Sequence, residues 1–166
     1  PIIKSKYQQI FSSQTAYQIT SMLKGVIERG TGKGLKDLNL ELAGKTGTTN
    51  KNTDTWFIGY TSNLVVGVYI GYDNPRSLGR FETGSKTAMP VFKDFIKNTA
   101  NTYNARPFKV ADNIKMMVID ANTGEKANSR TKNSIIEAFK KIDDKSDILT
   151  NNIDSRFNTS NILKFY

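Results

Sequence analysis

The chain has 166 residues, 37% of them hydrophobic and 23% charged, the balance of a soluble globular protein with one sizeable core. It has no cysteine and no histidine, which excludes disulfides, thiolate metal sites and the Ser-His-Asp and Cys-His schemes of nucleophilic catalysis. The net charge of +9 is spread along the chain without a basic run, a pattern of solvated surface that argues against a nucleic-acid partner and suits adsorption to anionic surfaces.

The chain opens Pro1-Ile2-Ile3-Lys4, with neither an initiator Met nor the apolar run of a signal peptide, and reads as a cut made inside a longer protein. Residues 13–29 follow as an amphipathic helix, with Ala16, Ile19, Leu23, Val26 and Ile27 at three- and four-residue spacing. Ser12 or Ser13 is placed to cap its start, and Gly30 stands where a left-handed residue would end it. Gly30-Thr31-Gly32-Lys33-Gly34 reads as a flexible connection.

Three strands are expected next, Glu41–Thr48, Thr55–Tyr60 and Leu64–Tyr72, joined by links short enough to favour antiparallel hairpins. Gly59, Gly67 and Gly71 suggest a sheet face on which helices pack closely. Leu64–Tyr72 is also the longest apolar run. A membrane span needs about 20 residues, so any anchor is expected outside this chain. A Gly/Pro/Arg loop over 73–85 leads to a second helix from about Thr87, with Met89, Phe92, Phe95 and Ile96 on its apolar side and Pro90 in its first turn. Lys115–Asp120 reads as a strand, Asn122-Thr123-Gly124 as a turn and Ile135–Lys141 as a short helix.

The fold class is α+β: an antiparallel three-stranded sheet flanked by helices. Residues 1–105 form its main unit, 106–145 a strand, turn and helix extension, and 146–166 a flexible tail or docking peptide.

The chemistry concentrates in Leu42-Ala43-Gly44-Lys45-Thr46-Gly47-Thr48-Thr49-Asn50. Gly44-Lys45-Thr46 matches the end of a phosphate-loop pattern, but that pattern needs glycine where Asn39 stands and a helix after Thr46, where none is expected. The other reading is the K-T-G strand of serine acyl-transferases that act on D-alanyl peptides and β-lactams. In it, Lys45 supplies a positive charge for an anionic substrate and assists proton transfer, and Thr46 and Thr48 offer rigid hydroxyls to a terminal carboxylate. Gly47 leaves room for a substrate backbone added along an edge strand, and the Thr48 N–H supplies half of an oxyanion hole. Alternation puts Lys45 and Gly47 on one face, Thr46 and Thr48 on the other.

The longer run carries a resemblance. Residues 42–50, Asp54-Thr55-Trp56-Phe57-Ile58-Gly59-Tyr60-Thr61, Val66-Gly67-Val68-Tyr69-Ile70-Gly71-Tyr72-Asp73 and Leu78-Gly79-Arg80 resemble the transpeptidase domain of the bifunctional penicillin-binding proteins. The helix Gln14–Arg29 and residues 84–96 are similar to the flanking elements of that family, and Val118-Ile119-Asp120-Ala121-Asn122-Thr123-Gly124 is similar to its C-terminal strand and turn. The resemblance implies the C-terminal part of a β-lactamase/transpeptidase-like fold, with Lys45 and Thr48 catalytic and Thr46, Gly47 and Thr48 binding substrate.

It further implies peptidoglycan stem peptides and β-lactams as ligands and no cofactor or metal. It places the parent at the periplasmic face of the bacterial inner membrane, with a glycosyltransferase domain upstream. The family's nucleophile lies in S-x-x-K, with an S-x-N partner, both upstream of K-T-G. No S-x-N occurs here, and Ser21-Met22-Leu23-Lys24 lies too near Lys45, on the helix just before the strand. Ser21 is read as a surface or packing residue, and the chain alone is expected to be inactive. An incomplete sheet would be covered by dimerisation, strand exchange or a partner chain.

Trp56 and Phe57 are read as core or as flanks of the groove, and Arg76 and Arg80 as solvated or substrate-facing. The alternatives are a β-lactamase or β-lactam sensor of the same fold, and a non-catalytic module that binds peptidoglycan or a partner.

Overall fold

A computed structural model describes residues 8–103 and 106–141. The first helix forms as α1, Ser13–Arg29, and Ser12 is its cap, with its Oγ accepting the Thr15 N–H at 3.2 Å. Gly30 is not left-handed but extended, at φ −106° and ψ −151°. The helix ends instead by a double return, because the N–H groups of Gly30 and Gly32 both donate to Val26 O, at 3.1 and 2.9 Å.

The apolar stripe is buried only in its second half. Ile27 enters the core, whereas Ala16 and Ile19 are exposed, because the first half runs past the sheet and meets polar partners there. The expected flexible connection is partly ordered: Lys33–Leu38 winds into a 3₁₀ helix that drives Leu35 into the core.

Three strands, β1 (Ala43–Thr48), β2 (Asp54–Tyr60) and β3 (Val65–Gly71), form an antiparallel sheet in the order β1-β2-β3. The register pairs Lys45 with Ile58, Gly47 with Trp56 and Thr48 with Thr55, then Trp56 with Tyr69 and Ile58 with Gly67. The second helix, α2 (Ala88–Tyr103), covers one face of this sheet. Phe57 from β2 and Phe92 from α2 are both fully buried, their rings 4.7 Å apart and tilted by 55°. Leu35, Leu42, Ile27, Met89 and Ile96 complete the cluster. Burying one such large apolar side chain contributes roughly 1.5–3 kcal/mol.

Close helix packing explains only one of the three strand glycines. A Cβ at Gly59 would stand 2.6 Å from Phe92 Cζ, whereas Gly67 and Gly71 meet only side chains of the sheet itself. On α2, Phe95 points outward, 41% exposed, and Phe92 and Ile96 carry the contact. Thr55, buried on β2, bonds hydroxyl to hydroxyl with Thr87 at 2.6 Å, which seats the entrance of α2 on the sheet.

The last segment departs from expectation. Residues 135–141 are not a helix: β5 (Ser134–Lys140) pairs antiparallel with β4 (Ile114–Asp120), Met116 opposite Ala138 and Val118 opposite Ile136. A seven-residue helix is too short to stand alone, whereas β-branched Ile135 and Ile136 find cross-strand partners in β4.

This hairpin lies against α1. The Glu137 carboxylate accepts from Ser21 Oγ at 3.1 Å and pairs with Arg29, Gln18 Nε2 donates to Ala138 O at 3.2 Å, and Lys140 Nζ donates to Thr15 Oγ1 at 2.8 Å. The tail expected over 146–166 lies outside the described residues. Among the described residues, no helix is long and apolar enough to cross a membrane.

Candidate active site

The Lys45-Thr46-Gly47-Thr48 run occupies most of β1, and β1 is an edge strand of the three-stranded sheet. One hydrogen bond fixes which backbone groups face outward. Thr49 N–H donates to Asp54 O at 3.1 Å, and residues 49 and 54 continue the β1–β2 register. Because directly opposed residues in an antiparallel ladder alternate between bonded and non-bonded pairs, Gly47 and Lys45 turn their N–H groups toward β2. The N–H groups of Thr46 and Thr48 then point to the open edge, where no strand pairs with them among the described residues.

Side chains follow the second alternation. Lys45 and Gly47 share the face away from α2 with Ile58 and Trp56. Thr46 and Thr48 lie on the α2 side, opposite Phe57 and Thr55. Lys45 is exposed and its Nζ donates to Thr46 O at 2.9 Å, with no carboxylate paired to it among the described residues. Thr46 Oγ1 is shared with Thr31 Oγ1 at 2.9 Å. Thr48 Oγ1 accepts the Gly84 N–H at 3.1 Å.

Trp56 and Phe57 divide between the two expected roles. Phe57 is core. Trp56 stands on the Lys45 face, half exposed, against Tyr69 with ring centroids 4.8 Å apart. With Ile58 and Tyr69, each 50% exposed, it forms an uncovered apolar area beside Lys45 and Gly47. Gly47 also makes room for this arrangement, since a Cβ there would press within 3.1 Å of Trp56 Cβ. The two loop arginines stack on neighbours: Arg76 lies 4.0 Å above the Tyr72 ring and Arg80 5.2 Å from that of Phe81.

Ser21 and Lys24 are engaged elsewhere. Ser21 donates to Glu137, and Lys24 Nζ pairs with Glu41 at 2.9 Å. Partial burial pushes the Glu41 carboxyl upward, but the Lys24 ammonium and the Phe108 N–H, at 2.8 Å, outweigh it and hold the group below the usual glutamate value. Neither side chain bonds to the other, so this S-x-x-K pair lacks the contact of a serine activated by its lysine. Among the described residues no group of three or more His, Cys, Asp or Glu is arranged to hold a metal.

Sequence reasoning missed Thr31, Asn52, Gly84 and Thr87, which fasten β1 and β2 to their surroundings. The only local signal was the Asn-Lys-Asn-Thr turn composition between β1 and β2, since asparagine tolerates the left-handed backbone that Asn52 adopts at φ 52°.

Residues 3–97 match the family model for the penicillin binding protein transpeptidase domain. Penicillin-binding protein 1A of Rickettsia bellii is 48% identical over 141 residues, covering 82% of this chain and 17% of that protein. Penicillin-binding protein 1A of Pseudomonas aeruginosa is 39% identical over 137 residues, again 82% of this chain and 17% of the relative. The chain thus spans 17% of the length of these curated relatives. The crystal structure of penicillin-binding protein 1A from Haemophilus influenzae superposes with a TM-score of 0.68 at 30% identity, over 77% of this chain and 20% of that one. The α+β arrangement of helices around an antiparallel sheet is therefore that of a known family: the chain belongs to the penicillin-binding protein transpeptidase domains.

Proposed function

We propose that this chain forms one wall of the acyl-transfer site of a peptidoglycan D,D-transpeptidase. The reading rests on one observation above all: an exposed edge strand whose outward N–H groups belong to Thr46 and Thr48, with the Lys45 ammonium beside them, bound to no carboxylate among the described residues. An extended peptide ending in a carboxylate adds to such an edge through main-chain bonds. Lys45 attracts the carboxylate and assists proton transfer at the serine, while Gly47 admits the substrate backbone. The Thr46 and Thr48 hydroxyls donate to the carboxylate, and the Thr48 N–H stabilises the oxyanion of the tetrahedral intermediate, a contribution typically worth about 2.7–4 kcal/mol.

The chemistry assigned to the complete domain is a two-step transfer. A serine oxygen bonds to the penultimate D-alanine carbonyl carbon, the peptide bond breaks, and terminal D-alanine leaves with a proton. An amine of a neighbouring stem peptide then displaces the serine, which recovers its proton. A β-lactam takes the first step and stays as the acyl-enzyme. We assign the serine to a part of the parent protein outside residues 1–166, because Ser21 and Lys24 are held by Glu137 and Glu41, and the other S-x-x-K of the chain, Ser129–Lys132, follows Lys45 where the family's nucleophile precedes it.

The parent is placed at the periplasmic face of the inner membrane, with its anchor and a glycosyltransferase domain outside this chain. The apolar area around Trp56, Ile58 and Tyr69 is assigned to contact with the rest of the domain; dimerisation or strand exchange is the rival occupant.

Labelling with a fluorescent penicillin, read by denaturing gel and intact mass, tests the assignment on this chain and on the longer parent. A covalent adduct on the parent alone is the expected result. An adduct on the 166-residue chain would place a nucleophile within it and overturn the assignment. A parent that never acylates would remove the transpeptidase reading.

A further inference from the structure

Two residues outside the Lys45–Thr48 run fasten the β3–α2 loop to the end of β1. Asn52, left-handed at φ 52°, donates through Nδ2 to the carbonyls of Gly79 and Arg80 at 3.0 and 3.1 Å. Its own carbonyl accepts the Leu78 N–H at 2.8 Å. Further along the same loop, the backbone of Gly84 rests on the Gly47–Trp56 step of the ladder. A Cβ there would lie 2.4 Å from Trp56 O and 2.6 Å from Gly47 O, so no other residue fits without moving backbone. From this seat Gly84 donates its N–H to Thr48 Oγ1 at 3.1 Å, while its carbonyl accepts the Met89 N–H at 2.8 Å.

This contact decides what the Thr48 hydroxyl can do. A threonine hydroxyl has one proton and two lone pairs. An N–H aimed at one lone pair turns the hydroxyl proton away from Gly84, and Thr48 Oγ1 has no other hydrogen-bond partner among the described residues. Its proton is left for an acceptor other than the described residues, and Thr48 is exposed. Thr46 differs, because its hydroxyl is already engaged by Thr31 and is approached by Lys45 Nζ at 3.4 Å.

We infer that Asn52 and Gly84 are positioning residues that preset the Thr48 hydroxyl as a donor to the substrate carboxylate, Asn52 by fixing the loop and Gly84 by occupying the acceptor side of the hydroxyl. The inference rests on the transpeptidase reading above. It adds a difference between the two threonines: Gly84 directs the Thr48 proton outward, whereas the Thr46 proton is free for the carboxylate only while Thr31 is the donor of the bond they share.

The test uses the full-length parent, acylated by benzylpenicillin or by its methyl ester, which lacks the anionic carboxylate. Asn52→Gly keeps the left-handed backbone and removes the amide. It should slow acylation by benzylpenicillin about tenfold, the scale of one charge-assisted hydrogen bond, and acylation by the ester less than about threefold. In a Thr48→Val background the same change should have almost no further effect, because the two act through one hydroxyl. Peptides containing the Gly84 amide should exchange hydrogen about tenfold faster in Asn52→Gly than in the parent.

Asn52→Asp, which replaces the donor by an acceptor, should repeat the pattern and serves if the glycine variant does not fold. Equal losses toward acid and ester, full additivity with Thr48→Val, or unchanged exchange at Gly84 would each overturn the inference. An unmodified parent that does not acylate would instead defeat the transpeptidase reading, and the inference with it.

Discussion

Gly59→Ala adds a single methyl group at the tightest contact between the sheet and α2. The new carbon would stand 2.6 Å from Phe92 Cζ, 2.8 Å from Phe92 Cε2 and 2.7 Å from Phe57 Cε1. Favourable carbon–carbon contact lies at about 3.5–4.0 Å, so both rings must retreat by roughly 1 Å. Neither has room, since Phe57 and Phe92 are fully buried and already packed ring to ring at 4.7 Å. The expected cost is that of overpacking a filled core, about 1–3 kcal/mol.

Urea unfolding measures it as a lower midpoint at unchanged slope. The companion variant Phe92→Leu shortens the offending ring edge. In that background Gly59→Ala should cost less than beside the native ring, because the sites share one space and only the Phe57 contact is left unrelieved. If Gly59→Ala changes stability by less than about 0.5 kcal/mol, or costs as much in the Phe92→Leu background as beside the native ring, the close packing of α2 on β2 is refuted.

Two further outcomes follow from local features. Glu41 ionises more readily in the folded chain than its ordinary value of 4.5, so the unfolded state binds more protons as the pH falls. Its stabilising share is therefore present above that ordinary value and is lost as the pH drops through the lower folded value; unfolding followed from about pH 6 to about pH 3 should show a shallower acid decline in Glu41→Gln than in the parent chain. Lys51 holds a left-handed backbone at φ 63°, which costs a non-glycine residue about 1 kcal/mol, so Lys51→Gly should raise stability by about 0.5 kcal/mol, read from the denaturation midpoint.

The sequence made α1 legible because its information is local: a capping serine, apolar spacing and terminal glycines lie within one segment. β2 and β3 were legible from their aromatic and β-branched residues, and all three strands from turn-rich links too short for a crossover. Ile135–Lys141 was misread because its spacing of apolar residues in so short a window satisfies both periods, and the connection 121–133 to its partner β4 is longer than the tight turn that signals a hairpin. Ile19 looked like core for a related reason, since helix periodicity says which residues share a face but not how far the sheet extends beneath it.

At the site, the Lys45–Thr48 run was readable as a motif, whereas its place on an edge strand is not something strand periodicity can show. Its surroundings were not readable. Alternation separates Trp56 from Phe57 but cannot say which of them faces α2. Asn52 reaches a carbonyl 27 residues away and Gly84 a hydroxyl 36 residues away, contacts that exist only once the loop has closed over the sheet.

The ladder parity at β1 also sets how this segment can vary in length. An unbroken register joins β1 to β2 through the connection Thr49–Thr53. A slip of one residue between the two strands would interchange their faces, sending Lys45 toward Phe92 and bringing Thr46 and Thr48 out beside Trp56. It would also exchange the N–H groups presented at the rim, replacing those of Thr46 and Thr48 with those of Lys45 and Gly47. Substitutions within the connection leave this arithmetic untouched, whereas a single inserted or deleted codon threatens it. Among descendants of this sequence, variation in that connection should therefore consist of residue changes, with length changes rare unless a compensating bulge restores the frame.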